Sequence, residues 1–455
     1  MSSSMEPEMS YHQRLVVDLC FEESEYEAAI DMLVQLTSPR HRPTKLHIRQ
    51  LLYIALLSPT DRHARIDPLA SPSKRERKLG ELPSAAASLA ARNLLMAFAE
   101  TNSPAAILLA LQPGDVDSPE EAEGFLATES LCISRAKNCW QILAEGFLLD
   151  QQQQQFASVK RKGKVLSAGS FGDLHDTAEM RSPVGETAWP ILEWLISIFE
   201  RDEVATNATL RHSPLLLEQL GTASRRDSDA ALAICHYSFA QSDPRRRALG
   251  IRLLNLLINL SSATDLDFPL LVVSIFNGLS ESTSAEDIAS LLAGLHPSSA
   301  VSKFKIALYQ KYFNDTASNT STNRKPIAAR PRPQARAAQP KGSPAKARQS
   351  TSTSSASPSS LANKYRAPTS GDILRLLMET QASPRNKYDL LVAYNEFQVL
   401  APASERDPEW LEVARNGTVL DKAFGCKAQG AATMEPSEGE GVVYRDLLAG
   451  TLSVY

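Results

Sequence analysis

The sequence predicts an all-α fold that is interrupted by long polar segments. Apolar residues recur at helical spacing in runs of roughly a dozen residues, as in helices with one buried face. Ser-Pro pairs such as Ser38-Pro39 and Ser58-Pro59 separate these runs. The sequence shows no sustained alternation of apolar and polar residues and no Asn-Gly turn between apolar runs, which are the signals of strands and hairpins. These observations predict helices throughout the ordered part of the 455-residue chain.

An N-terminal helical half is expected over residues 11–149, after a disordered N-terminus at 1–10. Thr44 is a suitable N-cap for one helix, and Ser118 with the acidic residues after it resembles the start of another. The expected helices cover residues 11–21, 25–36, 44–57, 84–100, 104–111 and 118–149.

A second helical half is expected over residues 186–313. Between the halves, residues 150–185 hold five consecutive glutamines and a basic cluster at Lys160–Lys164, and we expect a disordered loop there. Helices are expected to resume at 186–199 and to continue at 214–220, 227–239, 244–260, 267–279, 285–295 and 299–313.

The helix expected at 244–260 has the clearest pattern. Asp243 can cap its N-terminus, and Pro244 suits the first helical position, where a missing N–H costs nothing. At 100° per residue, a narrow polar stripe runs along one side, and almost all other positions are apolar. The polar stripe consists of Arg245, Arg252, Asn255 and Asn259. Such a helix must be buried by other helices on most sides.

This stretch resembles the HEAT and armadillo repeat family, whose helices often open with an Asp-Pro pair followed by arginine and alanine. The resemblance covers Ser242–Leu260 and, loosely, its neighbours. Successive pairs of the expected helices are spaced by about 40 residues, the period of HEAT-type repeats. The resemblance implies a HEAT/armadillo-like helical array, a scaffold without chemistry. It also implies that the polar stripe binds a partner, because asparagines on inner armadillo helices hold an extended peptide. The alternative is a solvated polar edge.

A basic disordered linker is expected over residues 314–368. From Thr322 to Pro368 there are ten Lys and Arg and no acids, while the whole chain carries a net charge of −4. The segment is a candidate for binding nucleic acid or an acidic protein, and the alternative is a solvated tether. The candidate polyanion-binding residues are Arg324, Lys325, Arg330, Arg332, Arg336, Lys341, Lys346 and Arg348. A small helical element at 369–415 and a weakly ordered tail at 416–455 follow.

Catalytic and metal-binding motifs are missing from the sequence. It contains no phosphate-binding loop, no G-x-S-x-G, no H-E-x-x-H and no C-x-x-C. The five cysteines are scattered, which predicts buried free thiols, and His236 is interpreted as a core residue. We therefore expect no enzymatic activity, no cofactor, no metal and no small-molecule substrate. No apolar run reaches the roughly 18 residues of a spanning helix, so we expect no membrane partner.

Two Ser-Pro sites lie in basic surroundings and resemble substrates of cyclin-dependent kinases. Ser71 and Ser343 are each followed by Pro, a further residue and Lys, which makes them candidate phosphorylation sites. Together with two basic clusters that resemble import signals, at Lys74–Lys78 and Lys160–Lys164, they favour an intracellular protein that visits the nucleus. The predicted function is a scaffold or adaptor for protein–protein interaction. The alternative is a chromatin- or nucleic-acid-associated factor, whose affinity would fall with salt and vanish on deletion of residues 322–368.

Overall fold

The described part of the protein is all-α, as predicted. A computed structural model describes residues 6–58, 82–112, 124–151, 181–206, 212–220, 228–264, 266–280, 285–320, 366–379, 382–425 and 436–453. These ranges contain no strand, only isolated bridges that pair Glu8 with Arg42 and Ser38 with His41. The chain divides into two compact units. Unit 1 comprises Met1–Leu266 and Asn277–His296, and unit 2 comprises Asp267–Phe276 and Pro297–Tyr455.

Unit 1 contains most of the helices. Its chain forms α1 (Tyr11–Glu22), α2 (Tyr26–Leu36), α3 (Lys45–Leu56), α4 (Ala85–Thr101), α5 (Pro104–Leu108), α6 (Phe125–Ser134), α7 (Trp189–Ala205), α8 (Pro214–Gln219), α9 (Asp229–Phe239) and α10 (Pro244–Ala263). Helix α11 (Phe268–Ser280) supplies residues to both units, and α12 (Ala285–Ala293) belongs to unit 1. Short 3-10 turns lie at Leu109–Leu111, Gln141–Leu143 and Glu186–Ala188.

Helix α3 is at the centre of unit 1. The predicted cap is present, since the backbone N–H of His47 donates to Thr44 Oγ1 over 3.1 Å. Every residue from His47 to Leu56 is buried, and the helix packs against α4, α6 and α7. A helix that is enclosed along its length is typical of a bundle. The stacking of helices into HEAT- or armadillo-like repeats is not confirmed and stays a prediction.

The helix expected over 118–149 is shorter than predicted. Within the described residues it begins at Phe125 and ends at Ser134, and residues 113–123 lie outside the described part. Beyond it, Asn138 Oδ1 accepts from the backbone N–H of Gln141, whose own Oε1 accepts from Lys137 N–H. These side chains take the donors that a continuing helix would use. Local side-chain hydrogen bonds therefore replace the helix that apolar periodicity alone predicted.

Helix α10 has the predicted cap and the predicted buried face. The side chain of Asp243 accepts from the backbone N–H of Arg245 over 2.9 Å, and Pro244 follows it in the first turn. The leucine and isoleucine positions are buried, except Ile251, which is half-buried. The buried apolar residues are Leu249, Leu253, Leu254, Leu256, Leu257, Ile258 and Leu260.

Helices α9 and α10 approach each other closely at Gly250. A Cβ atom at this position would lie 2.6 Å from Ser238 Cβ and 3.0 Å from Phe239 Cε1, closer than van der Waals contact permits. We therefore expect Gly250→Ala to force the helices apart and to lower the free energy of unfolding by about 1–3 kcal/mol.

Gly441→Ala is the matched control for Gly250→Ala. Gly441 lies in a helix of unit 2, and a Cβ there would meet nothing within 4 Å. The control is expected to raise stability by up to about 1 kcal/mol, because alanine is the better helix former. Thermal and denaturant unfolding followed by circular dichroism measure both. A Gly250→Ala protein that is as stable as the original, or more stable, contradicts the close approach.

Unit 2 is helical as well. Its helices are α13 (Ser299–Thr320), α14 (Ser370–Glu379), α15 (Pro384–Leu400), α16 (Trp410–Arg415), α17 (Thr418–Phe424) and α18 (Pro436–Ser453), with a 3-10 turn at Ala403–Glu405. The long helix α13 packs against α15, with ion pairs between Lys303 and Glu405 and between Lys305 and Glu396.

The grouping of α13 with the C-terminal helices differs from the predicted division after residue 313. The sequence could not show this grouping, because the contact joins helices on either side of residues 321–365, which lie outside the described part. Two helices, α17 and α18, occupy much of the tail that was predicted to be weakly ordered.

A buried cluster of polar and aromatic side chains organises unit 2. Tyr394 and Trp410 are fully buried and meet edge to face, with ring centroids 4.7 Å apart. Trp410 Nε1 donates to Asn395 Oδ1 over 3.0 Å, and the Tyr394 hydroxyl donates to Asp407 Oδ2 over 3.3 Å. The same carboxylate accepts from Ser370 N–H over 2.6 Å and so caps α14. One cluster thus joins α14, α15 and α16.

Basic side chains from distant parts of the chain cap several helix C-termini. In unit 1, Arg92 donates to Ala55 O at the end of α3 over 2.9 Å. Arg201 on α7 donates to Ala99 O and, over 2.8 Å, to Asn102 O at the end of α4. Carbonyls in the last turn of a helix have no intrahelical partner and carry partial negative charge. These arginines satisfy them and tie each helix end to another helix.

In unit 2, a basic residue close in the sequence caps one helix end and a distant lysine caps another. Arg406 Nε donates to Ala401 O over 2.7 Å, just beyond the end of α15. Lys387 on α15 donates to Ala423 O over 3.1 Å, in the last turn of α17. Both of these contacts lie within unit 2, and the arginine caps described above lie within unit 1.

Candidate functional site

The polar stripe of α10 faces helix α7. Arg252 Nε donates to Glu200 Oε1 over 2.8 Å and its Nη2 donates to Glu200 Oε2 over 2.5 Å. Arg252 Nη2 also lies 3.2 Å from Ser197 Oγ. One turn further along, Asn259 Nδ2 donates to Glu203 Oε1 over 2.8 Å. A stripe of acceptors on α7 therefore matches the stripe of donors on α10.

Charge pairing holds this contact. The hydrogen bond to Glu200 raises the pKa of the Arg252 guanidinium, with burial acting in the opposite direction. Both side chains remain about one-third exposed, so solvent screens the pair. The Oδ1 atom of Asn255 is buried without a hydrogen-bond partner, and Arg245 is exposed.

The structure brings two of the four predicted partner-binding residues, Arg252 and Asn259, against α7. A peptide that used Arg252 and Asn259 would have to displace Glu200 and Glu203. Partner binding by the polar stripe stays a prediction. Neither predicted alternative, a solvated edge or a peptide site, included the ion pair between α7 and α10. Sequence periodicity does not reveal this pair, because it describes one helix at a time.

The candidate sites in the basic segments lie outside the described residues. These are the phosphorylation sites Ser71 and Ser343, and the predicted polyanion-binding residues Arg324, Lys325, Arg330, Arg332, Arg336, Lys341, Lys346 and Arg348.

Three of the cysteines are buried and form no disulfide, as predicted. Burial raises the pKa of the Cys139 and Cys235 thiols, and Cys132 is buried as well. Cys20 is half-buried, and Cys426 lies outside the described residues. A buried thiol with a raised pKa is a poor nucleophile.

The ring of His236 packs directly against the backbone of Gly278, which leaves no room for a side chain there. This contact agrees with the interpretation of His236 as a packing residue. In the described ranges, no group of three or more His, Cys, Asp or Glu side chains is placed to hold a metal ion.

Helix α1 presents an exposed apolar face that the sequence analysis did not single out. Tyr11, Leu15, Val16 and Leu19 are 65%, 52%, 49% and 52% exposed. Their spacing places them on one side of the helix, and we call them the α1 apolar face. On the other side Val17 and Phe21 are buried in unit 1. Single exposed apolar side chains are ordinary, whereas four on one side of a short helix form a candidate interaction surface.

The α1 apolar face is held in a fixed position by its own cap and by ion pairs. Ser10 and Gln13 form a capping box at the start of the helix. Glu8 lies 3.6 Å from Arg14 and 3.0 Å from Arg42, which ties the start of α1 to the chain before α3. Such a preformed surface loses little conformational entropy on binding.

At the other end of α1, the exposed carboxylates Glu22, Glu23 and Glu25 surround a tight turn, which we call the acidic turn. Ser24, between them, has a φ of 63°, and Glu25 N–H donates to Cys20 O over 2.9 Å. No basic residue lies in the last turn of α1. The carboxylates therefore add to the partial negative charge of the helix C-terminus.

A signal for the α1 apolar face was present in the sequence. The segment from Tyr11 to Phe21 carries apolar residues on more sides than one buried face requires. Periodicity alone cannot tell which of these sides another helix covers.

Within the described residues, no helix is long and apolar enough to cross a membrane. No protein-family model, curated protein or solved structure shows a significant match to this chain.

Proposed function

We propose that this protein is a non-enzymatic α-helical scaffold or adaptor, and that it binds another protein through the α1 apolar face. The observation that carries the proposal is the exposure of Tyr11, Leu15, Val16 and Leu19 on a helix whose opposite side is anchored in the core. Apolar and aromatic anchors on a rigid element are what most protein interfaces use at their centre. The alternative nucleic-acid function rests on the sequence of residues 322–368 alone.

The test is a comparison of two doubly charged variants. Leu15→Glu/Leu19→Glu places two carboxylates on the α1 apolar face. Leu89→Glu/Val204→Glu changes the charge of unit 1 equally, at two residues that are 58% and 70% exposed on α4 and α7. Both pairs are exposed, so we expect both variants to melt within a few degrees of the original protein.

We expect proteins that co-purify with the tagged chain from native cells to be lost from the α1 variant and kept by the control. Quantitative mass spectrometry of the purified material gives the ratio for each protein. If the α1 variant retains every protein that the control retains, the α1 apolar face is not the binding surface.

A further inference from the structure

The charge around the α1 apolar face identifies the kind of partner it fits. Between residues 6 and 36 there are eight acidic side chains against one arginine, a net charge of −7. The acidic turn concentrates three of them at one end of the face. A partner that covers the face must bring its own charges within a few ångströms of these carboxylates, and positive charges are favoured there.

The geometry of the face favours a helix as the partner. From Tyr11 to Leu19 the face spans about 12 Å, which is roughly two turns of a facing helix. An extended peptide needs hydrogen-bonding partners for its backbone. The described part of the chain contains no strand edge, and of the four side chains of the α1 apolar face only Tyr11 carries a hydrogen-bonding group. A helix satisfies its backbone hydrogen bonds internally and needs only apolar contacts from its partner.

A second copy of this chain fits the face poorly. A copy that paired α1 with α1 would bring the same excess of negative charge to the interface. Like charges across an interface are unfavourable, and the resident charges Arg14 and Asp18 are already engaged with Glu8 and His47.

We propose that the α1 apolar face binds a basic amphipathic helix of a partner protein. Its apolar residues, spaced by one helical turn, contact Leu15 and Leu19, and its Lys or Arg side chains lie beside the acidic turn. This inference rests on the proposed function, because it names the partner class of the same surface.

The test uses two synthetic helical peptides of roughly 18 residues with the same leucine stripe, one with lysine and one with glutamate at the flanking positions. Binding of each labelled peptide to the full-length chain is followed by fluorescence anisotropy at low and at physiological salt. We expect the lysine peptide to bind at least about tenfold more tightly than the glutamate peptide, with an advantage that shrinks as salt rises.

Matched variants separate the contribution of charge from that of the apolar contact. Glu22→Gln/Glu23→Gln/Glu25→Gln is expected to weaken binding of the lysine peptide by about tenfold at low salt. Glu100→Gln/Glu218→Gln/Glu409→Gln removes three exposed carboxylates elsewhere and is expected to change it less than threefold. Leu15→Glu/Leu19→Glu tests the apolar contact. This variant adds negative charge, which by itself attracts the positive peptide. It is nevertheless expected to abolish binding, because the apolar contact is lost.

The outcomes distinguish the inference from the proposed function. If both peptides bind equally, or neither binds, while native partners still depend on Leu15 and Leu19, the basic-helix inference is wrong and the adaptor proposal stands. If light scattering shows a dimer that Leu15→Glu/Leu19→Glu dissociates, the occupant is a second copy and the inference is wrong. If a chain that lacks residues 322–365 binds the lysine peptide much more tightly, the chain's own basic segment is the occupant.

Discussion

Leu254→Ala is expected to lower the free energy of unfolding of unit 1 by about 2–5 kcal/mol, the range for a leucine removed from a packed core. Leu254 is fully buried in α10, the helix whose other apolar positions also face the core. The surrounding helices close the cavity left by the truncated leucine only partly, so the packing contacts of its side chain are not regained. Three of the four tryptophans lie in unit 1, and their fluorescence in a Trp410→Phe background reports its unfolding in urea.

Arg252→Ala, two residues away on the same helix, is the control for Leu254→Ala. It removes a pair with Glu200 that is about one-third exposed, and we expect a loss below about 1 kcal/mol. Equal losses in the two variants would show that the buried side of α10 is wrongly assigned.

Trp410→Ala is expected to destabilise unit 2 by about 3–5 kcal/mol. The side chain is fully buried, packs edge to face on Tyr394 and donates to Asn395 Oδ1. Its removal therefore opens a large cavity and leaves a buried carbonyl oxygen unpaired, which adds to the cost. Amide hydrogen exchange over residues 370–415 measures the local loss of protection, while peptides from unit 1 serve as an internal reference.

Leu411→Ala is the neighbouring control. Leu411 is 51% exposed, so its truncation is expected to change exchange protection in unit 2 only slightly. A Trp410→Ala protein that exchanges like Leu411→Ala would contradict the central role of the buried cluster.

Local sequence signals predicted the helices of this protein well, because each signal acts within a few residues. Thr44 and Asp243 cap the helices that they were expected to cap, and α10 buries the side that its periodicity indicated. The prediction failed where local polar side chains compete with the helix, as Asn138 and Gln141 do after α6. The apolar pattern continues through that segment and gives no sign of the competition.

The candidate site could be predicted only in part, because exposure depends on residues far away in the chain. The sequence identified the polar stripe of α10, but not that Glu200 and Glu203 on α7 face Arg252 and Asn259. It identified α1 as apolar, but not which side remained uncovered. Both features depend on contacts between helices that are separated by tens of residues. Such contacts cannot be read from the pattern of one sequence without periodic repeats.

The long-range caps on helix ends limit how unit 1 can be divided. The expected N-terminal half, residues 11–149, contains all of α4 but lacks Arg201, which satisfies the carbonyls at its end. A fragment that ends before α7 therefore retains the whole of α4 but exposes the carbonyls at its end. Insertions into loops preserve such caps, whereas the loss of a single helix removes the cap of another. Helices α3, α4 and α7 are thus linked in series, because each of the first two depends on the next for the hydrogen bonds at its C-terminal end.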